Sequence, residues 1–147
     1  MVNPLIQGKR YPRTASFLVG REKLREFATA TMLPEAFSDE AAAKANGQAA
    51  LVAPPTFPVV IQEQSLKLVL ADPEAQLDLS RVVHGDQRFV YVRPIVAGDE
   101  LTSELVVASV KSIGGNHMVT FNTEIFDVED RLVCTAISTL VVRGHDA

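Results

Sequence analysis

The chain is 147 residues long, a length that one compact domain accounts for. A chain of this size buries a core without disulfides or metals. With 47% hydrophobic and 22% charged residues and a net charge of −4, it is neither a disordered polymer nor a general nucleic-acid binder, which needs a basic footprint. One cysteine allows no internal disulfide and no cysteine zinc cluster, so a reducing, cytoplasmic setting is expected. The first ten residues hold no apolar stretch of signal-peptide length, and no run approaches the ~20 apolar residues of a membrane helix.

Charge is uneven. Lys9, Arg10, Arg13, Arg21, Lys23 and Arg25 face only Glu22 within the first 25 residues, a basic patch able to attract an acidic or phosphorylated partner. A solvated face is the plainer reading.

In chain order, residues 1–12 are expected as a flexible end. Residues 13–19 read as a short strand. Gly20 serves as a helix N-cap with Glu22 in the first turn. Leu24, Phe27, Ala28 and Thr31 come next at helical spacing, and Pro34 is expected to end that helix. Ser38, with Asp39 and Glu40 behind it, marks a second helix start, and Asn46-Gly47 its stop. Pro54, Pro55 and Pro58 stiffen the approach to a long apolar stretch, residues 59–70, that lacks strand alternation and is read as a buried helix. Asp72-Pro73 breaks it.

From Val82 onward β-branched and aromatic residues dominate. Residues 82–93 form a strand closed by Pro94, and residues 97–99 a turn. Residues 100–112 form the next strand, with Leu105 and Val107 on one face and Val106, Ala108 and Val110 on the other. Gly114-Gly115-Asn116 is a hairpin turn. Residues 118–127 alternate cleanly, with Val119, Phe121, Thr123 and Ile125 sharing a face. An acidic turn at 127–130 leads to a last strand, 131–143, mixed on both faces. Residues 144–147 are expected as a second flexible end. Segregated helices and strands imply an α+β class, with a twisted antiparallel sheet wrapped around the one buried helix. Such an open sheet has edge strands that a second copy or a relative can cover.

This order resembles the hot-dog fold. Residues 19–28 (VGREKLREFA) look like the opening helix of MaoC-like dehydratases, and residues 53–57 (APPTF) like the approach to their central helix. Residues 84–99 (HGDQRFVYVRPIVAGD) are similar to the most distinctive stretch of that family's N-terminal domain. The nearest resemblance is to the A- and C-type subunits of heterodimeric (3R)-hydroxyacyl-ACP dehydratases. It implies a single hot-dog domain over residues 1–147, an acyl-ACP or acyl-CoA thioester as ligand, no cofactor and no metal. It also implies a second hot-dog chain as partner, or a homodimer.

The resemblance also exposes an absence. Active members carry Asp-x-x-x-x-His after the opening helix, one group orienting a water or hydroxyl and the other moving the C2 proton. Here residues 31–37 read Thr-Met-Leu-Pro-Glu-Ala-Phe. Pro34 sits where the family has proline, Met32 falls near the expected Asp, and Phe37 near the expected His. Apolar groups move no protons, so by motif this chain has no catalytic dyad and a partner supplies it.

Substitutes are few. His84 and Asp86, two apart on a strand, are expected to face the same side and to be able to meet; a structural histidine beside Gly85 is the plainer role. Glu35 is the only carboxylate in the altered loop. Hot-dog thioesterases use a lone carboxylate, so Glu35 or Asp39 keeps a homodimeric acyl-CoA thioesterase open as an alternative; a non-enzymatic acyl-thioester binding module is another. Gln87 and Arg88 read as interface or strand-pairing groups. His117 and His145 read as exposed, and Cys134 as a small buried hydrophobe. For the walls of an acyl channel, Pro55, Thr56 and Phe57 match the family motif, with Phe89 and Tyr91 beside them. Most aromatic side chains serve the core. The leading expectation is the substrate-binding, dyad-lacking subunit of an (R)-3-hydroxyacyl-thioester dehydratase of type II fatty-acid elongation.

Overall fold

The computed structural model describes residues 1–144, apart from the side chains of Glu35 and Ala36. The expected C-terminal end and His145 thus lie largely outside the described residues. A five-stranded antiparallel sheet curls around one helix. The elements are β1 (Phe17–Leu18), α1 (Arg21–Ala30), α2 (Glu40–Ala45), α3 (Pro58–Leu70), β2 (Val82–Tyr91), β3 (Glu100–Ile113), β4 (Asn116–Phe126) and β5 (Leu132–Val142). Strand order is β1-β3-β4-β5-β2, so β2 crosses to the far side of β5 before the chain returns to lay down β3.

The first strand is shorter than expected, two residues rather than seven, because the segment before it pairs only intermittently with β3. Helix α1 starts at the predicted Gly20 and buries Leu24 and Ala28, one turn apart. It stops before Pro34. The Met32 N–H donates to the Thr29 carbonyl at 3.1 Å and the Leu33 N–H to the Ala28 carbonyl at 2.9 Å. Met32 itself sits at φ 54°. This is a Schellman stop with methionine in the left-handed position that glycine usually fills. Helix α2 is capped by the Asp39 carboxylate, which accepts from the Ala41 N–H at 2.8 Å, rather than by Ser38.

Helix α3 begins with Pro58 at its first position, where the missing N–H is not needed. It turns Ile61, Gln62, Ser65 and Val69 onto the sheet. Its far side carries exposed Glu63 and Lys67, an ion pair at 3.8 Å, flanked by half-buried Val60, Leu66 and Leu70.

Three register breaks interrupt the sheet: at Ala108 on β3, at Gly85 on β2, and at Val133 on β5, between Leu132 (opposite Phe126) and Cys134 (opposite Ile125). Ala108 has no partner between Val107 (opposite Phe121) and Ser109 (opposite Thr120), and Gly85 has none between His84 (opposite Leu140) and Asp86 (opposite Thr139). One extra residue bends a strand and re-phases every residue beyond it. Val110 therefore comes to the inner face opposite buried Val119, not outward with Val106 as strict alternation predicted. Strand β5, expected as mixed, alternates from Cys134 onward, with Ala136, Ser138, Leu140 and Val142 buried on the helix side, but begins with Val133 and Cys134 buried in succession. The β3–β4 hairpin turns through Gly114 (φ 56°) and Gly115 (φ 79°), the two left-handed residues of a tight primed turn.

The core forms two apolar clusters. One, toward the end of α3, joins Val69 to Val2, Ile6, Tyr11, Leu105 and Phe121. The other, toward its start, joins Phe57 and Ile61 to Leu24, Leu51, Ile95 and Ile125. Phe27 meets Phe57 edge-on at 5.4 Å. The N-terminal segment, expected as a flexible end, is thus part of the core: Val2, Ile6 and Tyr11 are buried. Its backbone runs along the outer edge of β3, Gly8 N–H to the Val107 carbonyl (2.8 Å), Tyr11 N–H to Leu105 (2.9 Å) and Thr14 N–H to Ser103 (3.0 Å).

Between the clusters runs a polar band. The Ser65 and Ser103 hydroxyls are 2.6 Å apart. Gln62 Nε2 donates to Thr123 Oγ1 (3.3 Å), the Ala136 carbonyl (3.4 Å) and Ser138 Oγ (3.2 Å).

Candidate functional site

Residues 51–53 pair with residues 95–97. The Ala53 N–H donates to the Ile95 carbonyl and the Ala97 N–H to the Leu51 carbonyl, both at 2.8 Å. This short ladder sets Pro54 and Pro55 against the end of β2, where Tyr91 Oη donates to the Pro55 carbonyl at 2.7 Å. Between them opens an apolar cleft of about 340 Å³, lined by Val52, Pro55, Tyr91, Val92 and Ile95 among others. Its one charged lining residue, Arg93, is spoken for. The guanidinium donates to both carboxylate oxygens of Asp99, at 2.8 and 3.1 Å, and reaches Asp127 at 3.6 Å. A second cavity of about 270 Å³ lies on the other side of Val52, lined by Phe37, Ala42, Ala43 and Leu51. Val52 lines both, so the two cavities adjoin at that residue, one beside the altered loop and the other at the end of β2. Phe37, at the position expected for the dyad histidine, lines the cavity beside the altered loop.

Pro55 and Tyr91 are therefore brought together as cleft walls. Phe57 is fully buried core and Phe89 is packed against the same cluster. Thr56 is exposed and lines neither cavity. Burial pushes the Tyr91 phenol above its ordinary range and the Cys134 thiol up to about 11, so both stay neutral at physiological pH. Sequence reasoning missed Val52, Val92 and Ile95. Val92 stands 66% exposed in the fold, and nothing in the sequence around it marks that.

The substitute acid–base pair does not form. The bulge at Gly85 puts His84 opposite inward-facing Leu140 but Asp86 opposite outward-facing Thr139, so the two lie on opposite faces of the sheet. Gly85 itself is held close to β5; a Cβ there would meet Val141 Cγ2 at 3.1 Å. Asp86 pairs instead with Arg88, at 3.2 Å. Glu35 lies by its backbone in a short 3₁₀ turn, Glu35–Ser38, and Asp39 is engaged as the cap of α2. His117, read as exposed, is buried on the inner face of β4 with Nδ1 3.1 Å from Ser112 Oγ. Cys134 is fully buried.

Five of the six cations of the basic N-terminal stretch enter ion pairs, Lys9 and Arg13 with acids far along the chain and Arg21, Lys23 and Arg25 with Glu22 or Glu26 on α1. Lys9 reaches Asp72 at 2.7 Å and also Glu74. Arg13 pairs with Asp130 and Glu104 and covers the Phe126 ring at 4.3 Å. Arg21 and Arg25 both meet Glu22, and Lys23 meets Glu26. Tyr11 Oη donates to Asp72 at 2.6 Å. With Lys9 and Tyr11 donating to it, the Asp72 carboxyl is held down to about 2.

A sheet curled around one helix, with an apolar cleft at its approach, is the hot-dog domain of MaoC-like dehydratases. The chain belongs to the family described as FAS1-like, dehydratase domain region, which matches residues 6–136. It is 56% identical over 146 residues to a UPF0336 protein of Leifsonia xyli, covering 99% of this chain and 98% of that one. Among solved structures it is similar to a chain of the C-terminally truncated HadBC (3R-hydroxyacyl-ACP dehydratase) complex from Mycobacterium tuberculosis. That likeness has a TM-score of 0.79 and 34% identity, over 92% of this chain and 96% of that one. A MaoC-like dehydratase superposes with a TM-score of 0.84 at 29% identity, over 95% of this chain but 43% of that longer one. No helix among the described residues is long and apolar enough to cross a membrane.

Proposed function

We propose that this chain is the substrate-binding, dyad-lacking subunit of an (R)-3-hydroxyacyl-thioester dehydratase, and that a second hot-dog chain supplies the acid and base. The observation that carries this reading is a pair of apolar cavities that share Val52, one lined by Phe37 and the other by Tyr91, with no described acid–base pair reaching into either; we read the two as one acyl track. In the elimination a base takes a proton from C2 of the acyl chain, the hydroxyl leaves C3 as water, and a C2–C3 double bond remains; hydration is the reverse. The side chains along the track are suited to holding the hydrocarbon tail while excluding water, and move no proton. Pro55 and Tyr91 form its walls, with Val52 between the two cavities. The acyl group arrives as an acyl-ACP or acyl-CoA thioester.

Two features support the partner. The outer side of β2 pairs with no other strand among the described residues, and it carries exposed Val83, Val90, Tyr91 and Val92. The flanks of α3 add half-buried Val60, Leu66 and Leu70, on either side of the exposed Glu63–Lys67 pair. A strand laid against β2 continues the sheet and brings a second central helix beside α3.

The test mixes this chain with a MaoC-like chain from the same genome that carries an intact Asp-x-x-x-x-His. Co-purification is expected, with hydration of crotonyl-CoA or a longer enoyl thioester by the mixture and none by this chain alone. Full hydratase activity from this chain alone, unchanged by the partner, would overturn the reading.

A further inference from the structure

The polar band beneath α3 is closed at one end and open at the other. At the β3 end, Ser103 is bonded to Ser65, and its backbone N–H donates to Thr14 Oγ1 at 3.0 Å. The band then passes through Thr123 on β4 and Ser138 on β5, both held by Gln62. Its next member is Gln87 on β2, which stands directly opposite Ser138 and faces the same inner side. There the bonding stops: both Gln87 Nε2 and Gln87 Oε1 are buried without a hydrogen-bond partner, the only such side-chain atoms found among the described residues. A buried carboxamide that makes no bond loses its hydration without return. Strand β2 is the long terminal strand, and no other strand among the described residues pairs with its outer side.

We propose that the Gln87 carboxamide sets the register of the partner strand. In the assembled sheet it exchanges its N–H and C=O with a donor–acceptor group, a carboxamide or hydroxyl side chain, on the inner face of the strand that the dyad-bearing hot-dog chain lays against β2. The inference rests on the proposed heteromeric reading and adds the contact that selects the partner. Cross-strand neighbours on one face bring their Cβ atoms within about 5.5 Å, a span a glutamine bridges by turning its side chain, with no backbone movement. An apolar partner position there leaves the amide unpaired; a one-residue slip puts an outward-facing side chain in its place. A single buried polar group is known to fix register in this way at the expense of lone-chain stability.

The experiment uses Gln87→Met, which keeps the shape and removes both hydrogen-bonding atoms. The probe is a co-expressed MaoC-like chain of the same genome with an intact Asp-x-x-x-x-His. For the lone chain, the urea midpoint is expected to stay level or rise, because an unpaired amide has been removed. For the complex, Kd is expected to weaken about tenfold. In ¹⁵N-labelled wild-type chain, the Gln87 side-chain amide signals are expected to shift and to exchange more slowly when the partner is added. That readout holds even if the variant folds poorly. Equal Kd for wild type and variant, or side-chain amide signals that the partner does not move, would remove this inference alone. So would a lone-chain midpoint that falls while binding is untouched, since the amide would then serve the chain's own fold. Failure of the wild-type chain to bind the partner at all would remove both this inference and the reading beneath it.

Discussion

The two edges of the sheet are finished differently. Along β3 the chain covers its own edge: residues 8–18 run beside it, bonded by backbone to Val107, Leu105 and Ser103 and locked by Tyr11 and Lys9 on Asp72. Along β2 nothing among the described residues covers the outer side, and the side chains beside it include Val90 at 58% and Val92 at 66% exposure. Soluble proteins blunt edges that must stay solitary with charge, proline, bulges or covering chain. Here the covering is spent on β3, while β2 has a bulge at one end and apolar side chains toward the other. The difference marks the strap as an internal element and β2 as the edge on which the proposed partner is expected.

That contrast breaks if changes at the strap alter association and changes at β2 alter the lone fold. The largest stability effect is expected from Tyr11→Ala, which removes a buried ring and its bond to Asp72. The lone chain should lose about 3–4 kcal/mol in urea unfolding. Val90→Lys should do the opposite: a charge on the bare edge leaves the lone chain within about 0.5 kcal/mol but weakens partner binding about 100-fold in a titration. Thr14→Val, which deprives the Ser103 N–H of its acceptor, should cost the lone chain about 1–2 kcal/mol in the same unfolding measurement.

Acid separates the two edges further. Asp72 is held at about 2 by Lys9 and Tyr11, below its ordinary value, so its contribution is present above pH of about 4 and is lost as pH falls toward about 2. The Tyr11 amide should lose its hydrogen-exchange protection across that window before the β4 amides do, and Asp72→Asn should flatten the dependence. The smallest effect is expected from Met32→Gly. It relieves the left-handed strain at the α1 stop and should raise lone-chain stability by about 0.5–1 kcal/mol in urea unfolding.

The periodic parts of this fold were legible from the sequence. Helix α3 lacks alternation over 13 residues, β4 alternates without a break, and Gly114-Gly115 admits one kind of turn. The non-periodic parts were not. A bulge inserts one residue with no compositional mark at Ala108 and only an ambiguous glycine at Gly85, yet each re-phases a strand; that is why Val110 turned inward and His84 parted from Asp86. The strap looked like a free end because its apolar anchors, Val2, Ile6 and Tyr11, obey no single period. The basic patch looked real because its partner acids, Asp72, Glu74, Glu104 and Asp130, lie far along the chain. Of the candidate site, Pro55 and Tyr91 were legible through the motif. Val52 was not, since its place between two cavities comes from its pairing with Val96. The open end of the polar band was invisible, because it requires knowing that Gln87 stands opposite Ser138.

The most direct measurement of the contrast between the edges is amide hydrogen exchange on the full chain, alone and with the dyad-bearing partner. Slowed exchange confined to residues 86–91 of β2 and to the outer side of α3, with the strap and β3 unchanged, is the predicted result. Protection that appears along β3 or the strap while the β2 amides exchange as freely as before would contradict it.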